Sequence, residues 1–161
     1  MTPEERARAF FKTRKTLILA TVGADGTPTA SYAPFVKHGD NLYIYISELS
    51  KHTRDLVETK RASVLLIEDE KGARNLFARK RITFSCEVAW VPRTTSFFGE
   101  IMDLFGKTFG KIFNQIEPLQ DFILFSLSPV EALYVEGFGK AYRLKRDLTN
   151  PIHIRGNGHK T

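Results

Sequence analysis

The 161-residue sequence has a single cysteine, Cys86, and no apolar run approaching the roughly 20 residues of a membrane-spanning helix. One cysteine excludes an internal disulfide bond and a cysteine-based zinc cluster. Residues 1–15 are charged throughout and lack the apolar core of a signal peptide. These absences predict a cytoplasmic protein that is not inserted in a membrane.

Motifs of several large functional classes are missing as well. We find no helix-turn-helix or other nucleic-acid motif, no P-loop, no paired carboxylates and no Ser–His–Asp order. The formal net charge of +6 and the pI near 9.5 favour an anionic partner, but the basic residues are dispersed. We therefore expect no nucleic acid, whereas a cofactor bearing phosphates or propionates would use the same charge.

What is present is the pattern of one β-rich domain. Alternating apolar residues predict strands over residues 17–22, 29–36, 41–47, 62–67, 81–91, 122–127 and 132–144, the last broken at 137–139. Helical spacing predicts helices over 3–15, after Ser50, and over 94–116, where there are two helices or one bent helix. Residues 70–81 predict a turn of helix with Leu76 and Phe77 facing inward. The sequence therefore predicts a mainly β protein with peripheral helices, an antiparallel barrel forming a single domain over 1–161, with a C-terminal tail over 145–161.

The clearest candidate site lies where the strand over 41–47 gives way to a helix. Ser47 and Lys51 stand near the helix N-terminus, which offers free backbone N–H groups and a positive dipole. A hydroxyl, an ammonium group and a helix N-terminus together suit a phosphate or a carboxylate. The alternative is a capped helix, with Ser50 as N-cap, and a solvated lysine.

A family resemblance begins in residues 19–35, LATVGADGTPTASYAPF. This segment resembles the opening hairpin of the FMN-binding split barrel, the pyridoxamine 5′-phosphate oxidase-like family, and the likeness continues through Ser47, Lys51 and Arg81. Four further blocks, SYAPF, LFARKR, LQDF and GFGKAY, occur in order within residues 31–142. They resemble the haem-utilisation branch of that family, the HutZ/HugZ proteins.

The resemblance implies a homodimer of split β-barrels with ligand sites between the two subunits. In the flavin members, positions matching Ser47, Lys51 and Arg81 hold the FMN phosphate. In the haem branch the implied axial ligand is a histidine near the C-terminus, matched here by His159. An acidic residue of the partner subunit supports that ligand, and Asp121 is the matching position.

The chemistry of these residues agrees with the resemblance. Ferric haem needs an imidazole ligand, and a carboxylate on its second nitrogen makes it a stronger donor. Three cations in a row, Arg79, Lys80 and Arg81, suit the propionates; alternatively they form an exposed basic run. Ser31 and Tyr32 are predicted either to line the pocket or to fill the barrel.

Two of these assignments have direct competitors. His153 alternates with Ile152 and Ile154, so it is either a rival iron ligand or a strand-face histidine. His159 stands third from the end, where chains are commonly disordered. Asp121 opens a strand, where a turn-capping role is the alternative.

Three functions follow from the sequence. The first is a haem-binding protein of haem utilisation that degrades haem oxidatively and releases iron, with an external electron donor. The second is an FMN-dependent oxidoreductase of the pyridoxamine 5′-phosphate oxidase-like family. The third is a non-catalytic haem carrier or storage protein.

Overall fold

A computed structural model describes residues 1–156, in which nine strands form one antiparallel sheet around a hydrophobic interior. The strands are β1 (Thr16–Val22), β2 (Pro28–Pro34), β3 (Val36–His38), β4 (Asn41–Ser47), β5 (Arg61–Ile67), β6 (Arg81–Val91), β7 (Phe122–Gly137), β8 (Lys140–Lys145) and β9 (Ile152–Ile154). The helices are α1 (Pro3–Lys12), α2 (Lys51–Thr59), α3 (Ser96–Phe109) and α4 (Phe113–Ile116). The predicted class, mainly β with peripheral helices, is confirmed.

Strand order explains how the sheet closes on itself. The strands run β2-β1-β5-β6-β7-β4-β3, and β8 and β9 extend from β7. β2 and β4 approach each other, but within residues 1–156 no pairing joins them. The barrel is therefore split between these two strands.

The sixteen-residue strand β7 joins the two parts of the sheet. Its first half pairs with β4, its second half pairs with β8, and β6 runs alongside both halves. The sequence predicted a gap here, over residues 128–131, and that prediction is wrong. Pro129, which has no N–H to donate, lies at the shift in register between β6 and β7, where a missing ladder bond is tolerated.

Local sequence accounts for the ends of the first helix and the first hairpin. Thr2 and Glu5 form a capping box around the N-terminus of α1, and Pro3 occupies its first turn. α1 buries Ala7, Phe10 and Phe11 against the barrel. The β1–β2 turn places Gly26 at φ 85°, a conformation that glycine adopts readily.

A second, smaller core lies outside the barrel. The helix predicted over residues 94–116 is bent as expected: α3 ends at Gly110, which has φ 72°, and α4 follows after a 3₁₀ turn. Phe105 stacks on Phe113 across this bend, with ring centroids 5.2 Å apart. Tyr45 from β4 reaches the same cluster, so α3 and α4 are packed against the outside of the barrel sheet.

Two predicted side-chain directions differ from the structure. Leu76 and Phe77 are exposed, Phe77 by 90%, because the loop that carries them is closed at its base by hydrogen bonds between Glu68 and Lys80 and projects outward. Trp90 continues the alternation of Phe84, Cys86 and Val88 along β6, which predicts an inward side chain. Beyond Val88 that strand passes to the second core, so Val91 is buried and Trp90 is exposed.

Cys86 packs inside the barrel as a free thiol. Burial raises the pKa of this thiol to about 12, which makes it a packing residue rather than a nucleophile. None of the helices in the described part of the chain has the length and hydropathy needed to cross a membrane.

Phe84 on β6 is buried in the centre of the barrel, in edge contact with Phe11 of α1. We expect Phe84→Ala to lower the free energy of unfolding by about 3–5 kcal/mol, because the surrounding side chains relax only partly into the cavity that the ring leaves. Phe77→Ala is the matched control, with an expected change within about 0.5 kcal/mol. Urea unfolding measures both, and equal effects of the two variants would contradict this packing.

Candidate functional site

Helix α2 lies across one end of the barrel, with its N-terminus at the end of β4. Ser50 occupies the N-cap position but makes no side-chain cap hydrogen bond. The Thr53 hydroxyl instead donates to the Ser47 carbonyl at 2.6 Å, and Ser47 Oγ accepts from the Leu49 N–H at 3.2 Å. The hydrogen-bond partners of Ser47 are therefore Leu49, in the turn that follows β4, and Thr53, in α2 itself.

A buried carboxylate ties α2 to the first hairpin. Asp55, 3% exposed, accepts a 2.7 Å hydrogen bond from the hydroxyl of Thr21. That hydrogen bond holds the pKa of Asp55 below its usual range, against the opposing effect of burial. Gly23 packs closely against this network, since a Cβ at this position would lie 3.1 Å from Asp25 Oδ1 and 3.2 Å from Asp55 Oδ1.

Lys51 belongs to the same network. Its Nζ donates to Thr29 Oγ1 at 2.7 Å and lies 3.5 Å from Asp55 Oδ1, one helical turn along α2. Thr29 pairs directly with Thr21 in the hairpin. The ammonium group predicted to bind an anion therefore already has an anionic partner within the chain, and the Lys51 side chain is 49% exposed.

His52 and Ser31 form a second pair beside this network. His52 Nδ1 lies 2.5 Å from Ser31 Oγ, and the imidazole is partly buried between α2 and β2. Burial lowers the pKa of His52 below its ordinary value, with a smaller opposing effect of the Asp55 charge. The pair is therefore uncharged at neutral pH.

The predicted basic run diverges instead of converging on one point. Arg79 donates to the Glu68 carbonyl, Lys80 lines a separate polar cleft of about 680 Å³, and Arg81 begins β6 on the outer face of the sheet. Cys86 of β6 pairs with Ala62 of β5, next to Ser63, and Ser63 pairs with Ala20 of β1 close to the α2 end of the barrel. Arg81 lies five residues away along β6, roughly 16 Å at about 3.3 Å per residue. Within one chain Arg81 is therefore far from Ser47 and Lys51.

The outer face of the sheet carries a mainly apolar row, which we call the apolar row. Cross-strand pairing aligns Tyr32, Ile18, Leu65, Thr83 and Leu133 on five neighbouring strands. Four strand spacings of about 4.8 Å make this row roughly 19 Å long. Tyr32 is 69% exposed and Ile18 42%, so the row is a substantial apolar surface. Ser31 points the opposite way from Tyr32, into the barrel mouth.

The remaining predicted residues lie at two edges of the molecule. The Asp121 carbonyl accepts from the Glu48 N–H at 2.7 Å, which places its exposed side chain beside the turn that precedes α2. His153 is on β9 and stacks on Tyr142, with Nε2 2.6 Å from the Gly139 carbonyl and Nδ1 3.4 Å from Arg155 Nε. His159 falls outside the described residues.

The structure thus brings together Ser31, Ser47 and Lys51 around the start of α2. It adds four residues that the sequence had not assigned to the site: Thr21, Thr29, His52 and Asp55. The Lys51–Asp55 spacing of four was a usable signal for an ion pair on one helix face. Thr21 and Thr29 could be assigned to the site only once the register of the β1–β2 hairpin was known.

This split barrel, with a strand-to-helix junction between β4 and α2 at one end, defines the class of protein. Residues 3–136 match the family model described as pyridoxamine 5′-phosphate oxidase. The chain belongs to that family.

Several named proteins are similar to this chain over most of its length. Heme oxygenase HutZ of Vibrio cholerae serotype O1 is 40% identical over 158 residues, covering 98% of this chain and 89% of that protein. A crystal structure of Vibrio cholerae HutZ, described there as a heme storage protein, matches with a TM-score of 0.81 and 38% identity over 85% of this chain and 97% of that one. Campylobacter jejuni ChuZ matches with a TM-score of 0.88 and 32% identity over 98% of this chain, which spans 65% of ChuZ.

The Asp55 network predicts a specific loss of stability in acid. Because the folded-state pKa of Asp55 is lowered, its contribution is complete above the unfolded-state value of about 4 and is lost as the pH falls through the folded-state pKa. At pH 7 we expect Asp55→Asn to cost about 1–3 kcal/mol, since it weakens the bonds from Thr21 and Lys51. That difference should shrink as the pH falls from about 4 towards 2.

Urea unfolding at a series of pH values measures this difference. Asp103→Asn, which changes an exposed carboxylate on α3, is the control and should follow the parent protein within about 0.5 kcal/mol. A constant difference between Asp55→Asn and the parent from pH 7 down to pH 2 would show that folding does not lower the pKa of Asp55.

Proposed function

We propose that this chain binds haem between two subunits of a homodimer and takes part in its oxidative degradation, releasing iron in the cytoplasm. The observation that carries the proposal is the apolar row on the outer face of the sheet, flanked by the cation Arg81. A large apolar macrocycle with carboxylates at its edge suits such a surface. The 40% identity with a heme oxygenase over nearly the whole chain supports the same function.

A two-subunit site accounts for the separation of the candidate residues. Arg81 and Tyr32 face outward, whereas Lys51 and Ser31 lie at the end of the barrel where α2 packs. Arg81 begins β6 at the other end of the barrel from α2. A ligand on one chain therefore meets only part of the set. In a dimer formed through the outer face, a second copy supplies the rest.

The residues present fit haem better than they fit a flavin phosphate. Tyr32 would contact the macrocycle, Arg81 would pair with a propionate, His159 would ligate the iron, and Asp121 of the other subunit would strengthen the imidazole as a donor. His153 is the weaker candidate, because both its ring nitrogens already have partners. Haem, when bound, supplies the redox-active iron that oxidative degradation requires, and an external donor supplies the electrons.

Two other functions remain as competitors. A non-catalytic store is favoured by the description of the Vibrio cholerae crystal structure as a heme storage protein. An FMN-dependent oxidoreductase is favoured by family membership alone. Haem turnover separates the first competitor from the proposal, and the absorption spectrum separates the second.

Titration with haemin tests the binding site. We expect a Soret band that saturates at one haem per subunit and is lost in His159→Ala, because the iron then has no imidazole. His153→Ala is the matched control and should keep the band. We expect Asp121→Asn to weaken binding or breakdown by about 10- to 100-fold. Retention of the band in His159→Ala, together with its loss in His153→Ala, would reverse the ligand assignment.

The same loaded protein tests the enzymatic part of the proposal. With ascorbate in air, the Soret band should decay while a chelator captures released ferrous iron. A stable band under these conditions would identify a store instead of an enzyme. Flavin bands in the purified protein with no response to haemin would favour the FMN alternative.

The proposed dimer face has its own test. We expect Ile18→Glu to convert the dimer to a monomer in light scattering, because a charge would be buried within the apolar row. Val57→Glu places the same charge on the exposed apolar patch of α2 near Trp90 and should leave the dimer intact. A monomer from Val57→Glu and a dimer from Ile18→Glu would move the interface to α2.

A further inference from the structure

The strand-to-helix site of this chain combines the geometry of an anion site with almost no available charge. The turn between β4 and α2 presents a helix N-terminus, where a phosphate group would be expected to bind. The side chains of Ser47, Lys51 and His52 around it all have hydrogen-bonding or ionic partners within the same chain. This contrast calls for an explanation.

Charge accounting makes the contrast explicit. Lys51 contributes one positive charge, and the buried carboxylate of Asp55 cancels it at 3.5 Å. His52 is neutral and is engaged with Ser31 at 2.5 Å. Ser47 Oγ accepts a hydrogen bond from the Leu49 N–H. Within one subunit the charges of these side chains therefore sum to zero.

We propose that the His52–Ser31 pair determines cofactor choice at this site: a neutral hydrogen-bonded pair stands where a flavin phosphate would need a cation, so the site rejects FMN. The two residues meet beside the N-terminus of α2, His52 from the first turn of α2 and Ser31 from β2. The inference deepens the proposed function, on which it rests for haem as the alternative occupant.

The energetics favour rejection. A phosphate monoester carries a charge of about −1.5 to −2 at pH 7, which must be compensated when it is removed from water. A neutral imidazole offers the phosphate at most one N–H donor and no positive charge to compensate it. Recruiting Lys51 would strip Asp55 of its cationic partner and leave a buried carboxylate without it. Haem carries carboxylates at one edge only and makes no such demand here.

Flavin titration of the unmodified protein is the first test. FMN and riboflavin differ only in the phosphate, so quenching of flavin fluorescence by each ligand isolates the contribution of that group. We expect the two dissociation constants to agree within about threefold, a difference of less than 1 kcal/mol. Preference for FMN over riboflavin by about a hundredfold or more would overturn the proposal, whatever the variants do.

A gain-of-function variant is the second test. We expect His52→Lys to tighten FMN binding by about tenfold or more, because it adds one charge-assisted contact, and to leave riboflavin binding unchanged. His52→Gln removes the imidazole without adding charge and is the matched control, with no gain for FMN. Equal FMN affinities of His52→Lys and His52→Gln, with both variants folded by circular dichroism, would contradict the assignment.

Haemin titration of the unmodified protein keeps this inference separate from the proposed function. Absence of a Soret band would overturn haem binding and leave the FMN-to-riboflavin ratio interpretable. A normal Soret band together with strong preference for FMN would instead leave haem binding in place and overturn the role of the His52–Ser31 pair.

Discussion

The hydrogen bonding of β7 to three other strands is the constraint on which this fold depends. β7 spans both parts of the sheet, so β4 and β8 hold their positions only because each pairs with a different half of it. β6 pairs along its length and accommodates Pro129 by a shift in register. The split between β2 and β4 follows from the same arrangement. β7 continues the sheet from β6 to β4, which brings β4 close to β2, and within the described residues no pairing joins these two strands. The candidate site lies at the end of that split.

Much of the fold could be predicted from the periodicity of apolar residues, and the predictions that were wrong have a common cause. Alternation located the strands around Leu19, Ile44 and Phe84, because each buries one face in the same interior. It failed where burial depends on distant partners. Trp90 continues the alternation of β6 but lies where a second core has taken over the opposite face. Leu76 and Phe77 are apolar and exposed, since a loop closed at its base turns them outward.

The candidate site was predictable to a smaller extent. Its location at Ser47 and Lys51 followed from one strand-to-helix junction, which is a local feature. The charge balance was not predictable, because Thr21 reaches Asp55 only through the packing of α2 on the hairpin. The divergence of Arg79, Lys80 and Arg81 depends on a loop closure and on strand pleating, neither of which a run of basic letters reveals. Family resemblance identified the right blocks, and geometry showed how they are distributed.

Strand β9 also decides what this edge of the sheet presents to other molecules. Its three residues pair with β8, from Ile152 opposite Arg143 to Ile154 opposite Ala141. An unpaired strand edge carries free N–H and C=O groups that can pair with a second chain, and natural proteins commonly end a sheet with a very short strand. β9 therefore covers half of the six-residue strand β8 and leaves an edge too short to promote edge-to-edge association.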